Sequence, residues 1–283
     1  MSILPLALRR VGAVTVPVVL NPRGELSRGA LQFSAARKRA YLISAKWLGL
    51  YRGILWHVGN SAEAAEVRTF AGADARVEIA PNLGPVALPA RPNRPEPKRS
   101  GQLRLVFVSR ISPKKNLLGA LGALKDLHGE VRFDIYGPIE DAVYWRRCLQ
   151  AARSLPRNIQ TRHRGTLSHE AVVPTLAQYD ALLFPTFGEN FGHVIAEALL
   201  GGCPVIVSDR TPWAGLEAAG AGWNVSLRHP ENLLAVLTNC MAMDSQEHAQ
   251  WSAGARVHAE RVLRDPAAVG STKKVFARAL SIT

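Results

Sequence analysis

The chain has 283 residues, 47% of them hydrophobic, and a formal net charge of +13; that length and apolar content suffice for one large or two ordinary domains. Three cysteines without paired spacing, Cys148, Cys203 and Cys240, argue against a disulfide framework and a zinc site and for a reducing compartment, and they read as small buried hydrophobes. The positive excess lies in the first third, where 15 Lys and Arg face 6 Asp and Glu up to residue 99; it suits an anionic membrane surface, a lipid-phosphate acceptor or nucleic acid.

In chain order, the opening run MSILPLALRRVGAVTVPVVL places Arg9 and Arg10 after its apolar octet instead of before it and shows no small-residue cleavage site. It falls short of the roughly 20 apolar residues of a membrane span. A cytoplasmic protein is expected. Residues 6–14 read as the end of a helix, 17–20 as a buried strand and NPRGEL (Asn21 to Leu26) as a turn. Residues 34–51 follow as a helix with Arg37, Lys38, Arg39 and Lys46 set among Tyr41, Leu42, Trp47 and Leu48; this face either lies on a membrane or is solvated. Residues 54–58 form a short strand. Asn60 reads as the N-cap of the helix SAEAAEVRTF, with Glu63 reaching back. A strand at 77–80 completes a Rossmann-like succession. Residues 85–101, with Pro85, Pro89, Pro92, Pro95 and Pro97 among Arg91, Arg94, Lys98 and Arg99, read as an extended, solvated linker.

A second domain is expected over residues 102–283, alternating as parallel-sheet units do: strand 103–109, helix 117–127, strand 131–136, helix 141–154, strand 159–163 and helix 169–178. Further on come a short helix at 213–219, a strand at 223–226 and three C-terminal helices around 231–241, 247–261 and 267–280. Between them lies the most informative stretch, LLFPTFGENFGHVIAEALLGGCPVIVSD from Leu182 to Asp209. It reads as strand, polar loop, helix from about residue 191 to 200, a stop at Gly201 and Gly202, and a second strand. Glu189 sits in the loop and Glu197 about two turns into the helix, so both carboxylates can face the space above the strand ends, where open α/β sheets bind ligands. Asn190, Phe191 and Gly192 fall in the first turn, whose unpartnered N–H groups favour an anion. His193 either reaches a ligand or tucks against the sheet.

In VFVSRISPKKN (Val106 to Asn116), Arg110 emerges at a strand end and Lys115 near a helix start. A guanidinium and an ammonium converging on one point would make a diphosphate clamp; Lys114 reads as surface charge. Gly137 in FDIYGP either lets the backbone approach a ligand closely or makes a plain turn. Arg164 in RHRGTL is either a ligand contact or a surface arginine. The histidines show no metal spacing, and the dispersed basic residues contain no nucleic-acid recognition motif.

The run from Glu189 to Glu197, two glutamates with seven residues between them followed by an apolar helix and GGCPVI, resembles the signature of the retaining GT-B glycosyltransferases of family 4. The fuller match, FPTFGENFGHVIAEAL with TPW at Thr211 to Trp213, is similar to bacterial members that build exopolysaccharide or lipopolysaccharide. The resemblance implies a GT-B-like α/β fold: one complete C-terminal Rossmann-like domain, a parallel sheet with helices on both faces, and in residues 1–84 part of an acceptor-side Rossmann-like domain. The first half of that domain is expected to be missing, through a truncation, a misassigned start or supply by a partner chain.

The resemblance further implies that Arg110 and Lys115 bind the donor diphosphate, Glu189 meets hydroxyls of the transferred sugar and Glu197 meets the ribose. Gly137 and the loop of Arg164 would face the nucleotide. Arg23 and Gly24 resemble the family's PRG turn near the acceptor, and Asn116 stands where a glycine usually follows the lysine. The expected reaction is retaining transfer from a UDP- or GDP-linked sugar to a glycan or lipid-linked acceptor. No cofactor is expected, and no Asp-x-Asp triplet exists to hold a divalent metal, so the reaction should be metal-independent. Peripheral contact with the inner face of an anionic membrane is a further expectation; nucleic acid is not an expected partner. The alternative is a nucleotide-sugar-binding fragment without turnover.

Overall fold

In the computed structural model, which describes residues 3–26, 35–81 and 96–281, the chain divides into two units, residues 1–84 with 265–283 and residues 85–264. The first contains α1 (Ile3–Arg10), β1 (Val19–Leu20), α2 (Ala35–Trp47), β2 (Leu55–Val58), α3 (Ser61–Ala71) and β3 (Val77–Ile79). The strands form a parallel sheet in the order β1-β2-β3, with Val19 opposite Leu55 and Trp56 opposite Val77. Central β2 is the most buried strand, and its Trp56 packs near Tyr51 and Phe70, with ring centroids 5.4 and 6.3 Å away.

The expected cap of α3 is present, since Asn60 Oδ1 accepts from Glu63 N at 2.9 Å. The Glu63 carboxylate reaches further back than a capping box does. It is buried and accepts from Gly59 N at 2.8 Å and from Gly24 N at 2.7 Å, which ties the NPRG turn to the start of α3. Arg23 and Gly24 both have left-handed backbones, with φ of 49° and 72°. A buried carboxylate on two backbone donors is a strong local constraint, because deleting it would leave each N–H short of a partner at about 1–3 kcal/mol apiece.

The C-terminal helix, Pro266–Leu280, belongs to this first unit, not to the second domain in which the sequence reading placed it. The reason is packing: Val275 and Ala279, one turn apart, are buried against Leu55 and Ala80, and Arg278 pairs with Glu78 on β3.

The second unit runs β4 (Gln102–Val108), a 3-10 turn (Pro113–Lys115), α4 (Leu117–Leu124), β5 (Glu130–Tyr136), α5 (Ala142–Arg153), β6 (Ile159–His163) and α6 (His169–Leu176). It continues with β7 (Ala181–Phe184), α7 (His193–Leu200), β8 (Val205–Ser208), β9 (Gly222–Val225), α8 (Pro230–Ala242) and α9 (Ser245–Leu263). All six strands are parallel, in the order β6-β5-β4-β7-β8-β9. Every residue of β7 and β8 is buried, as expected of strands covered on both faces. Phe107 and Phe184 meet edge to face in the core with centroids 5.6 Å apart.

Two expectations fail here. Residues 213–215 are irregular and 216–220 form turns, not a helix, and Gly215 with φ of 68° breaks the helical path. Most of the expected linker lies outside the described residues, but its end is packed. Lys98 is only 4% exposed and its Nζ donates to the carbonyls of Arg99, Met241 and Met243 at 2.8–3.2 Å. The last two carbonyls lie at the C-terminal end of α8, the negative end of that helix. Among the described residues no helix is long and apolar enough to cross a membrane.

Candidate functional site

The strand order reverses between β4 and β7, so the chain leaves β4 toward β5 on one side and leaves β7 toward β8 on the other. In open α/β sheets such a reversal is where a ligand crevice forms, between the two exits. The exits are stitched together by backbone and side-chain hydrogen bonds: Phe187 N donates to Lys114 O at 2.9 Å and Thr186 Oγ1 to the same carbonyl at 3.2 Å. Asn116 has a left-handed backbone (φ 57°, ψ 40°), its Oδ1 caps Gly119 N at 3.2 Å, and its Nδ2 donates to Pro185 O at 2.8 Å. Asparagine tolerates the conformation a glycine would supply and adds two hydrogen bonds. The sequence departure at Asn116 is therefore structurally accounted for.

Across this seam the ammonium of Lys115 pairs with Glu189 Oε1, and the two side chains are 12% and 13% exposed. Lys115 Nζ also lies 5.4 Å from the centroid of the Phe184 ring, and Thr186 Oγ1 is 3.4 Å from Glu189 Oε1. Thr186, fully buried and directly after Pro185 at the strand end, was not singled out from the sequence, although its position beside a strand terminus was readable.

Helix α7 begins at His193 with Gly192 as its N-cap, so Asn190 and Phe191 lie in the preceding loop and not in the first turn as the sequence suggested. Gly192 explains the shift. Its φ of 78° breaks the helical path, and a Cβ there would sit 2.7 Å from Ile195 Cδ1. The Phe191 carbonyl accepts from Trp213 Nε1 at 2.6 Å, and the Phe191 ring lies near both His193 and Trp213, with centroids 4.9 and 5.8 Å away. Ile195 N donates to Gly192 O at 2.8 Å, the first bond of the helix, which puts the N–H groups of His193 and Val194 at its open end.

Glu197 stands one turn beyond His193 on the same helix face. Burial pushes its carboxyl above the ordinary value, and the nearby His169 and His193 partly offset this. His169 Nδ1 is 3.7 Å from Glu197 Oε1. His169, at the start of α6, is a site neighbour that the sequence reading passed over.

Other expected site residues are engaged elsewhere. Arg110 turns to Glu140 at 2.6 Å, both largely exposed, and does not converge with Lys115. Arg164 holds the buried Asp134 through two hydrogen bonds of 3.1 and 3.2 Å, and Tyr179 donates to the same carboxylate at 2.9 Å. These bonds raise the pKa of Arg164 and commit its guanidinium to the sheet. At Gly137, with φ of 137°, a Cβ would lie 1.9 Å from Ser109 O. The glycine is thus required where the exits of β4 and β5 pass each other, with or without a ligand. Arg23 and Gly24 belong to the first unit. Among the described residues no group of three or more His, Cys, Asp or Glu side chains could hold a metal ion.

Residues 91–257 match the family model of glycosyl transferases group 1. Among solved structures, the Anabaena protein HepE in complex with UDP and glucose is similar at a TM-score of 0.74 and 19% identity, over 98% of this chain and 76% of that one. WaaG, a glycosyltransferase involved in lipopolysaccharide biosynthesis, is similar at a TM-score of 0.67 and 17% identity, over 96% and 80%. A variant of S. aureus TarM bound to UDP, fondaparinux and α-GlcNAc-glycerol is similar at a TM-score of 0.63 and 16% identity, over 85% of this chain; the chain spans 46% of TarM. At these identities the likeness is one of fold, the GT-B arrangement of parallel sheets flanked by helices. No curated protein matches the sequence.

The raised carboxyl of Glu197 has a measurable consequence. The native state holds this proton more tightly than the unfolded chain, so the contribution to stability is complete below the ordinary value of 4.5 and lost as pH rises through the raised one. Glu197→Gln removes that loss. The melting temperature of the variant relative to wild type should therefore be near zero difference at about pH 4 and higher by a few degrees at about pH 7. A difference that stays flat across this range would contradict the assignment.

Proposed function

The chain belongs to the glycosyl transferases group 1, and from that premise we propose that it moves a sugar, with retention of anomeric configuration, from a UDP- or GDP-linked donor to a glycan or lipid-linked acceptor in cell-surface polysaccharide synthesis. One observation carries the reading: Lys115 and Glu189, delivered by the exits of β4 and β7, meet in the crevice where the strand order reverses.

Breaking the bond between the sugar and the diphosphate leaves negative charge on the departing nucleotide and an oxocarbenium-like sugar. In this reading Lys115 and the open N–H groups of α7 receive that charge, and preorganised donors of this kind can lower a barrier by about 3–4 kcal/mol each. Arg110 joins them by leaving Glu140. That exposed pair is worth only about 0–1 kcal/mol, so the swing costs little. Glu189 accepts from hydroxyls of the transferred sugar while its pairing with Lys115 holds it in position. Glu197, whose carboxyl is burdened by burial, gains hydrogen-bond donors from the ribose hydroxyls. The commitment of Arg164 to Asp134 leaves the backbone of its loop, not its guanidinium, to meet the base.

Helices α1 and α2 support a peripheral contact with an anionic membrane. Trp47 is 87% exposed, Ile43 stands one turn before it, and Leu4 and Leu8 form an exposed pair on α1 beside Arg9 and Arg10.

The test of activity is hydrolysis and transfer with UDP- and GDP-linked hexoses, followed by NMR of the released anomer. Turnover with retained configuration, unchanged by EDTA and reduced about 100- to 1,000-fold in Glu189→Gln, is expected. Donor binding without turnover would overturn the catalytic reading in favour of a binding module. For the membrane contact, sedimentation with phosphatidylglycerol vesicles should fall about tenfold in Trp47→Ala; unchanged sedimentation would remove it.

A further inference from the structure

The opposite end of the second sheet holds a cavity of about 430 Å³, formed at the N-terminal ends of β4, β5 and β6. Its volume falls in the range of small-molecule sites. Arg104 on β4, Arg132 on β5 and Gln160 on β6 are register partners, so all three project from the same sheet face. Two arginines directly opposite on paired strands repel each other. The chain relieves this only at Arg104, which pairs with Glu96 at 3.0 Å and with the buried Asp180 at 3.3 Å. Arg132 is exposed on the cavity wall, as is Arg157 in the turn before β6, and neither has a hydrogen bond or ion pair among the described residues. The rim beside Arg157 is fixed, because Asn158 Nδ2 donates to Leu127 O at 3.1 Å and to Gly129 O at 2.7 Å.

We propose that this cavity binds a phosphorylated sugar. The unpaired guanidinium groups of Arg132 and Arg157 are suited to a phosphate, which guanidinium forks grip in two hydrogen bonds. Gln160, whose amide is uncommitted among the described residues, and Glu130, which accepts from Gln102 Nε2 at 3.1 Å and has further lone pairs, supply acceptors and a donor for hydroxyls. The site is separate from the crevice at the other strand ends: seven residues of β4 or β5 lie between them, roughly 20 Å of extended chain. Binding here goes beyond the transfer reaction and is independent of it.

The experiment is calorimetric titration of the full chain with a hexose 6-phosphate and, separately, with inorganic phosphate. It compares wild type, the double variant Arg132→Gln with Arg157→Gln, and Lys115→Ala. The hexose phosphate should bind wild type and Lys115→Ala alike and the double variant at least about tenfold more weakly, with inorganic phosphate weaker throughout. Binding that disappears in Lys115→Ala and survives in the double variant would place the probe at the donor crevice and overturn the proposal, as would no binding to wild type. Equal affinity for inorganic phosphate would overturn its sugar specificity. Retention on anionic vesicles lost with the two arginines, without hexose-phosphate binding, would overturn it in favour of a membrane surface. A second readout on wild type guards against misfolding of the variant: the hexose phosphate should protect Arg132 and Arg157 from phenylglyoxal, and equal modification with and without it would contradict the site.

Discussion

The reversal of strand order between β4 and β7 is the constraint from which the rest of the site follows. Right-handed crossovers carry the chain to opposite sides of the sheet from these two neighbours, so their exits diverge, which is where open α/β sheets form a ligand crevice. Such a space must have its open backbone groups satisfied. Here Asn116, Thr186 and the Lys114 carbonyl bridge the exits, and the pairing of Lys115 with Glu189 spans them. Removal of water on one side makes that pairing stronger than an exposed pair, and it keeps two opposite charges held ready beside the open end of α7.

How far the chain announces this depends on the range of the interaction. The run Ala181 to Ser208 was legible because its features are local: four-residue buried strands, a helix stop at Gly201 and Gly202, and carboxylates at fixed spacing. The start of α7 was misplaced by two residues because apolar spacing cannot reveal that Gly192 adopts a left-handed backbone and that Trp213 takes the Phe191 carbonyl. Arg110 and Arg164 show the same limit at longer range. Each finds a carboxylate 30 residues away on a neighbouring element, a pairing set by strand register and not by anything near either arginine in sequence.

Lys98 and the C-terminal helix teach a related lesson about composition. A proline-rich, basic segment reads as solvated, yet one lysine within it closes the end of α8 by donating to the carbonyls of Met241 and Met243. The last helix follows the second unit in sequence, yet its Val275 and Ala279 find their apolar cover on the first sheet. In both cases the deciding partner lies more than 140 residues away, where periodicity and propensity carry no information.

The most direct measurement is the affinity for UDP of the wild-type chain and of Lys115→Ala, determined by calorimetry under identical salt. If the departing diphosphate sits between Lys115 and the start of α7, the substitution weakens UDP binding by about 10- to 100-fold, the loss expected for one charge-assisted contact in a partly buried site. Equal affinity in the two proteins would show that the nucleotide does not occupy the crevice at the strand reversal.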